Sequence, residues 1–401
     1  MSSAPTIILA TVLFIIVYIH YRIQSFLETH KLHFLNAPES LIATRNKSSP
    51  NKPNSPVYLV IGGSGNLGKL TVRQLLELGR TVRVFDLQNA WTHEPRVSFI
   101  QGDITNLGDV EKALEGAGVT HVIHHASLVV IGAYDHEVLK RVNIDGTRNV
   151  MEAVYKTSSV VSVVYTSSVC QYGYNSDPQM ETLPPLTKVE HFHPYFRSKA
   201  IAEDYVLACN SPAVRTAAIR AAAVLGQNFD MIRHMMDSNT PLLMVKGSKE
   251  GFVHSEDLAR AHILLVDALA DPDRSEKSSG KPYMISGCSD ADSVSRKTLY
   301  TDIYRTLHPG KNPKIIDNYF LIRLISTIAD IGQIAQVFGK SPLDFEQVMK
   351  FHRGNLYYTF MDVIVRKEEK AAWKTFGYEP AFTVATAVAT MAPRQKSISE
   401  D

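Results

Sequence analysis

Tyr195 and Lys199 stand four residues apart in "HPYFRSKAIAEDYVLA". On a helix that spacing places them one turn apart on one face. A phenol titrates at about pH 10 and is a poor base at neutrality. An ammonium one turn away stabilises the phenolate and makes the tyrosine a usable base. Taken alone, a Y-x-x-x-K pair reads as an ordinary surface pair. In "VVYTSSVCQYG", however, the apolar run of a strand ends in Thr166, Ser167 and Ser168. A buried core has no use for three hydroxyls unless they are hydrogen-bonded. A serine at such a strand end can orient an alcohol for a neighbouring base, so the expected chemistry is proton removal from a substrate hydroxyl.

Oxidation of an alcohol also needs a hydride acceptor, and "GGSGNLG" has the form of a cradle for one. Gly62, Gly63, Gly65, Asn66, Leu67 and Gly68 follow the apolar "PVYLVI" and open the amphipathic "KLTVRQLLELG". Glycines let the backbone turn sharply and approach a pyrophosphate, which the helix amides then face. Asp86 ends the next strand, "TVRVFD", at the spacing of an acid that hydrogen-bonds an adenosine ribose. A turn-forming aspartate is the alternative. Leu87 and Gln88 follow, with no cation for a 2′-phosphate, so NAD is expected rather than NADP. Asp103, with Ile104 beside it in "QGDIT", either contacts the adenine or caps the next turn.

The elements that must hold these residues alternate. "RVSFIQGD" and "THVIHHA" read as strands, as does "SVVSVVYTSS". "LGDVEKALEGAG" and "DHEVLKRVNIDGTRNVMEAVYKT" read as helices between them. Near-continuous apolar strands alternating with helices predict an α/β fold, a Rossmann-like doubly wound parallel sheet covered on both faces. Residues 56–230 form the NAD-binding domain and 231–393 a smaller C-terminal α/β substrate-binding region, with a polar tail at 394–401. The net charge is +2 and charged residues make up 20% of the chain. No basic stripe is present, which argues against nucleic acid. Cys170, Cys209 and Cys288 are scattered and odd in number, which predicts neither a disulfide framework nor a metal site and suits a reducing compartment.

The N-terminus follows another pattern. "PTIILATVLFIIVYIHY", Pro5 to Tyr21, is apolar and spans roughly 25 Å as a helix, the thickness of a thin bilayer such as the endoplasmic reticulum's. No Lys or Arg precedes it and no A-x-A exit follows, so residues 1–22 are expected to be an uncleaved single-pass anchor. The following Arg22, Lys31, Arg45, Lys47 and Lys52 predict a cytosolic catalytic domain. Asn46-Lys47-Ser48 is a glycosylation sequon that only lumenal exposure would use. Residues 23–55, ending in "NKSSPNKPNSP", read as a polar linker. "YFLIRLISTIADIGQIAQVFG", residues 319–339, carries an apolar face at helical spacing and reads either as a core helix or as a membrane-associated segment.

Together, "GGSGNLG", "YTSSVCQYG", "YFRSK" and "GFVHSEDLARAH" resemble the extended short-chain dehydrogenase/reductases, from about Pro56 to near the C-terminus. The resemblance implies Ser168 as the catalytic serine and Tyr195 as the base. Lys199 is then the lysine that also holds the nicotinamide ribose. Thr166 and Ser167 match flanking hydroxyl positions. Asn143 matches a family asparagine of catalytic or structural role. Arg220 matches an arginine that either contacts substrate or forms a structural ion pair. His254 and Asp257 are expected to fix a helix start, with Ser255 as a cap. Ile61 and His124-His125 depart from the family pattern. The anchor, residues 319–339 and "YYTFMDVIVRKEEKAAWKTFGYEP" resemble the branch of 3β-hydroxysteroid dehydrogenases and decarboxylating sterol-4α-carboxylate 3-dehydrogenases. That branch implies a sterol or triterpenoid substrate, oxidation of its 3β-alcohol and loss of a C4 carboxylate. It also implies a membrane location, with a homodimer and other sterol-modifying membrane enzymes as partners. A 3β-hydroxysteroid dehydrogenase/isomerase, a nucleotide-sugar epimerase or dehydratase, and a non-enzymatic NAD-sensing protein are the alternatives.

Overall fold

The structure, a computed structural model, describes residues 39–46, 55–129, 136–169, 194–226, 230–237, 241–244, 249–287, 294–322, 324 and 371–392. A short helix, α1 (Glu39–Asn46), precedes an alternating unit. In chain order this comprises β1 (Val57–Ile61), α2 (Asn66–Glu77), β2 (Thr81–Asp86), β3 (Val97–Gln101), α3 (Leu107–Leu114) and β4 (His121–His124). A long helical stretch follows: α4 (His136–Leu139), a π-helical turn (Lys140–Asp145) and α5 (Gly146–Lys156). Then come β5 (Ser162–Ser168), α6 (Pro194–Ala208) and β6 (Arg215–Ala221).

Seven strands form one sheet in the order β11-β6-β5-β4-β1-β2-β3, where β11 is Pro282–Ile285, and every neighbouring pair is parallel. The side chains explain why both faces are covered. Along β1, Tyr58 and Val60 enter one apolar cluster while Leu59 and Ile61 enter another, as the two-residue period of a strand requires. The order reverses between β1 and β4. At such a switch point the loops beyond the strand ends diverge and leave a crevice.

A smaller unit is built from short strand pairs. β7 (Ala223–Leu225) pairs with β10 (Phe252–His254), and β8 (Leu242–Leu243) pairs with β13 (Ile315–Ile316), each in parallel. β9 (Lys249–Glu250) pairs antiparallel with β12 (Val294–Ser295). Ile232 of α7 (Asp230–Asp237), Ile303 of α10 (Arg296–Leu307) and Val388 of α12 (Val384–Ala389) share its apolar cluster with Phe252. Between β10 and β11 the chain returns to the main sheet through α8 (Ser255–Ala270) and α9 (Ser275–Ser278), and α11 (Ala371–Phe376) lies beside β11.

Two expectations are corrected here. Residues 23–55 are not linker throughout, because α1 docks on the main unit. Leu41 and Ile42 pack against its core, and Arg45 is 2% exposed, donating to the carbonyls of Ser158 and Val160 at 2.6 and 2.7 Å. A guanidinium committed to those carbonyls is a structural group and does not count as a juxtamembrane cation. The single-pass, endoplasmic-reticulum location is also overturned: among the described residues no helix is long and apolar enough to cross a membrane. Pro5–Tyr21, most of 319–339 and the tail 394–401 lie outside the described residues, as do Cys170 and Cys288.

Candidate active site

The glycine turn is where backbone meets backbone most closely. Gly62 has φ +81°, and a Cβ there would lie 2.6 Å from the Ala126 nitrogen. A Cβ on Gly68 would lie 2.0 Å from the Gly62 carbonyl oxygen, so only glycine lets α2 start against the end of β1. Gly65 occupies the N-cap and offers no side chain to the first-turn amides. Those amides and the positive end of the helix dipole suit a phosphate.

A cavity of about 830 Å³ opens at this turn. Gly62, Gly65, Asn66, Leu67 and Gly68 line it, together with Asp86, Asp103 and Ile104. Gly63 does not. It packs against Val84, where a Cβ would lie 2.8 Å from Cγ1, and its carbonyl accepts a hydrogen bond from Trp91 Nε1 at 3.1 Å. The Asp86 carboxylate accepts from the amides of Ser64 (2.9 Å) and Leu87 (2.7 Å), which orients it at the cavity wall. Asp103 accepts from the Thr105 amide at 2.8 Å; it caps that turn while also lining the cavity. The glycine cradle, the uncapped helix start and the oriented carboxylate fit a dinucleotide.

Thr166, Ser167, Ser168, Tyr195 and Lys199 line the same cavity. β5 delivers the hydroxyls and α6 the tyrosine and lysine, so residues distant in sequence meet where the sheet's strand order reverses. Tyr195 and Ser168 are each 8% exposed, and Lys199 is 2% exposed. Lys199 Nζ donates to the Thr166 carbonyl at 2.5 Å and stands 4.3 Å over the Tyr165 ring. Glu203 lies one turn beyond Lys199 on α6.

Two residues left open by the sequence, Asn143 and Arg220, now have partners. Asn143 uses its whole amide: Oδ1 accepts from Ser127 Oγ and the Leu128 amide, and Nδ2 donates to the Leu128 carbonyl and to Ser198 Oγ. Its side chain therefore ties the loop after β4 to α6. Arg220 forms a buried ion pair with Glu203, through Nε at 3.0 and 3.2 Å and Nη2 at 2.5 Å. It is not among the cavity-lining residues. At the start of α8, the cap is His254 and not Ser255, since its ring accepts from the Glu256 amide at 3.3 Å. Asp257 accepts from the amides of Ala381 and Phe382 and so binds the C-terminal segment to α8.

The sequence reading missed what His125 and His262 do. His125 Nδ1 lies 2.7 Å from Thr166 Oγ1, and His262 Nε2 lies 2.8 Å from the same atom. Burial lowers the His262 pKa to about 4. Burial, and next the neighbouring His262, hold His125 well below the ordinary imidazole range. The signal was present, because the paired histidines after β4 stood out as a departure from the family pattern.

A family model described as the 3-beta hydroxysteroid dehydrogenase/isomerase family matches residues 59–307. The chain is 34% identical over 261 residues to human short-chain dehydrogenase/reductase family 42E member 1, covering 59% of this chain and 64% of that protein. It is 40% identical over 199 residues to human 3 beta-hydroxysteroid dehydrogenase type 7, covering 44% of this chain and 52% of that one. The matched stretches thus span less than two thirds of these relatives. A solved UDP-glucose 4-epimerase from Thermus thermophilus, in complex with NAD, superposes with a TM-score of 0.57 at 20% identity. It covers 84% of this chain and 97% of its own, and establishes likeness of fold alone.

Proposed function

The chain belongs to the 3-beta hydroxysteroid dehydrogenase/isomerase family, and from that premise we propose that it oxidises the ring 3β-hydroxyl of a sterol or triterpenoid to a 3-ketone with NAD. The observation that carries this reading is the meeting of Ser168, Tyr195 and Lys199 on a cavity that the glycine turn and Asp86 also line. The substrate class rests on the family and on the likeness to human 3 beta-hydroxysteroid dehydrogenase type 7.

Ser168 holds the substrate oxygen, and Tyr195 removes its proton. Tyr195 acts as the phenolate, which the Lys199 ammonium stabilises before the transfer, and Lys199 also holds a ribose hydroxyl of the dinucleotide. Asp86 receives the adenosine ribose, and the start of α2 receives the pyrophosphate. NAD bound in this cavity supplies the hydride acceptor. If the substrate carries a carboxylate on C4, its 3-ketone is a β-keto acid. The C4–carboxylate bond then breaks, its electrons pass into the new carbonyl to form an enolate, CO2 leaves, and C4 takes up a proton from water to restore the 3-ketone, with little further catalysis needed.

The test offers purified full-length protein a 4α-carboxy-3β-hydroxysterol with NAD⁺ or NADP⁺ and follows reduced cofactor and CO2 together. Equal amounts of NADH and CO2 are expected. Tyr195→Phe should lower the rate at least about a hundredfold, the scale of general acid–base catalysis. NADH without CO2 would remove the decarboxylation and leave the alcohol oxidation. A conjugated-enone absorbance from a Δ5 substrate would mark the isomerase activity instead. Reduction of neither cofactor would refute the sterol reading.

A further inference from the structure

Behind Lys199 runs a hydrogen-bonded chain whose proton positions can be worked out from one end. The Leu258 carbonyl can only accept, so His262 Nδ1, 2.7 Å away, carries a proton and donates it. In a neutral ring Nε2 is then an acceptor, and the Thr166 hydroxyl at 2.8 Å donates to it. With its one proton committed, Thr166 Oγ1 accepts from His125 Nδ1 at 2.7 Å. His125 Nε2 is left as the acceptor for Thr71 Oγ1 at 2.9 Å, a hydroxyl that also lies 3.2 Å from the Leu67 carbonyl. The two imidazoles meet edge to face at 4.6 Å. Two charged rings could not share that buried space, so the neutral assignment is self-consistent.

The place of this chain in the sheet suggests its purpose. The β4–β5 ladder ends at His124 opposite Tyr165, while β5 continues to pair with β6 through Thr166, Ser167 and Ser168. On the β4 side Thr166 therefore has no backbone partner in that ladder. The His125 side chain spans the gap and His262 closes it from α8. The carbonyl of this same Thr166 receives Lys199 Nζ at 2.5 Å.

We propose that His125 and His262 are positioning residues for the Tyr195–Lys199 pair: holding the Thr166 hydroxyl from both sides, they fix the carbonyl that receives the Lys199 ammonium. This rests on the reading of Tyr195 as base and Lys199 as its cation. The titratable groups around Lys199 are Tyr195 on α6, His124 at the end of β4 and His125 just after it, Tyr165 on β5 and His262 on α8, with Glu203 and Arg220 paired to each other nearby.

Side-chain amides separate this role from packing, because asparagine reproduces the Nδ1 position of histidine and glutamine the Nε2 position. His125→Asn keeps the donor to Thr166, whereas His125→Gln keeps only the contact to Thr71. His262→Gln keeps the acceptor for Thr166, whereas His262→Asn keeps only the bond to Leu258. The readout is an ultraviolet difference titration of tyrosinate in cofactor-free protein, with Tyr195→Phe as the blank, alongside kcat, KM and a thermal melt. His125→Gln and His262→Asn should raise the Tyr195 midpoint by about one pH unit and lower kcat at neutral pH about tenfold. His125→Asn and His262→Gln should retain most of both. Equal behaviour within each pair, or melting changes with a fixed midpoint, would overturn the inference. If the histidine variants do not fold, Thr166→Val against Thr166→Ser asks the same question, and only Thr166→Val should raise the midpoint. Lys199→Met separates the two levels. A midpoint unmoved by Lys199→Met refutes the base-and-cation reading itself. A midpoint that moves there but not in the histidine series refutes only the positioning role.

Discussion

Arg220 was open to two readings, substrate contact or structural pair, and Glu203→Gln decides between them. Both side chains are 1% exposed, and three donor–acceptor contacts between 2.5 and 3.2 Å join them. The amide of glutamine has nearly the shape of the carboxylate, so packing is preserved while the negative charge is lost. The buried guanidinium then loses the carboxylate charge of Glu203. Breaking a buried pair in this way costs about 3–5 kcal/mol. At about 2–4 °C per kcal/mol for a domain of this size, melting should fall by about 6–20 °C. Scanning calorimetry on the cofactor-free protein reads this directly. Replacing both partners, Glu203→Leu with Arg220→Met, should recover most of the loss, since an apolar pair of similar volume is often as stable as a buried ion pair. A Glu203→Gln protein that melts within about 2 °C of wild type refutes this account. If that protein also shows a raised KM for the alcohol, Arg220 belongs to the substrate after all.

The other predictions concern cofactor choice and pH. Asp86→Ala removes the carboxylate that the Ser64 and Leu87 amides orient. It should raise the KM for NAD about 10- to 100-fold, the value of a hydrogen bond to a charged group, and narrow the preference against NADP. An unchanged ratio of the two KM values would remove Asp86 from the ribose site. Burial lowers the His262 pKa to about 4 and the His124 pKa to about 3. Unfolded rings take up protons below about pH 6.5 while the folded rings stay neutral. Their contribution to stability is therefore whole above that pH and lost as the pH falls toward 4. Each ring should remove about 1.4 kcal/mol per pH unit within the window. Urea titrations between pH 7 and 5 should show this slope, and His262→Gln should flatten it by one ring's share. An unaltered slope would show that His262 takes up no extra proton on unfolding.

How much of this was legible in the residues depended on whether the signal was local. β1 announced itself because a strand buried on both faces is apolar at nearly every position, and β4 and β5 did so through their short β-branched runs between helices. The glycine turn was legible because Gly62 and Gly68 meet a physical prohibition that no other side chain escapes. α1 was not legible. Its eight residues "ESLIATRN" carry little amphipathic pattern, and what holds Arg45 is a pair of carbonyls more than a hundred positions away. The same distance hid the anchoring of residues 381 and 382 by Asp257, and Arg220's partner, only 17 positions away, was hidden because it stands on a different element. Such pairings are set by which elements the sheet brings together, and neither spacing nor residue type encodes them. Trp91 was not singled out, because its bond to the Gly63 carbonyl depends on how its loop folds back.

The three hydroxyls at the end of β5 divide their work according to strand geometry and its neighbours. Thr166 and Ser168 are two residues apart and share a face of the strand, so either could have been the hydroxyl that orients a substrate. The choice is made by His125. A histidine there donates into Thr166 Oγ1 at 2.7 Å while His262 takes the threonine's proton at 2.8 Å. The hydroxyl of Thr166 thus has its proton and one lone pair committed inside the protein. A residue in that state can hold the Lys199 ammonium through its carbonyl, but it has no proton to offer an alcohol oxygen. Under the function proposed above, the orienting role on that face then falls to Ser168, two positions nearer the strand's end. On this reasoning the departure at His125 leaves the chemistry in place and fixes which of two similar hydroxyls performs it.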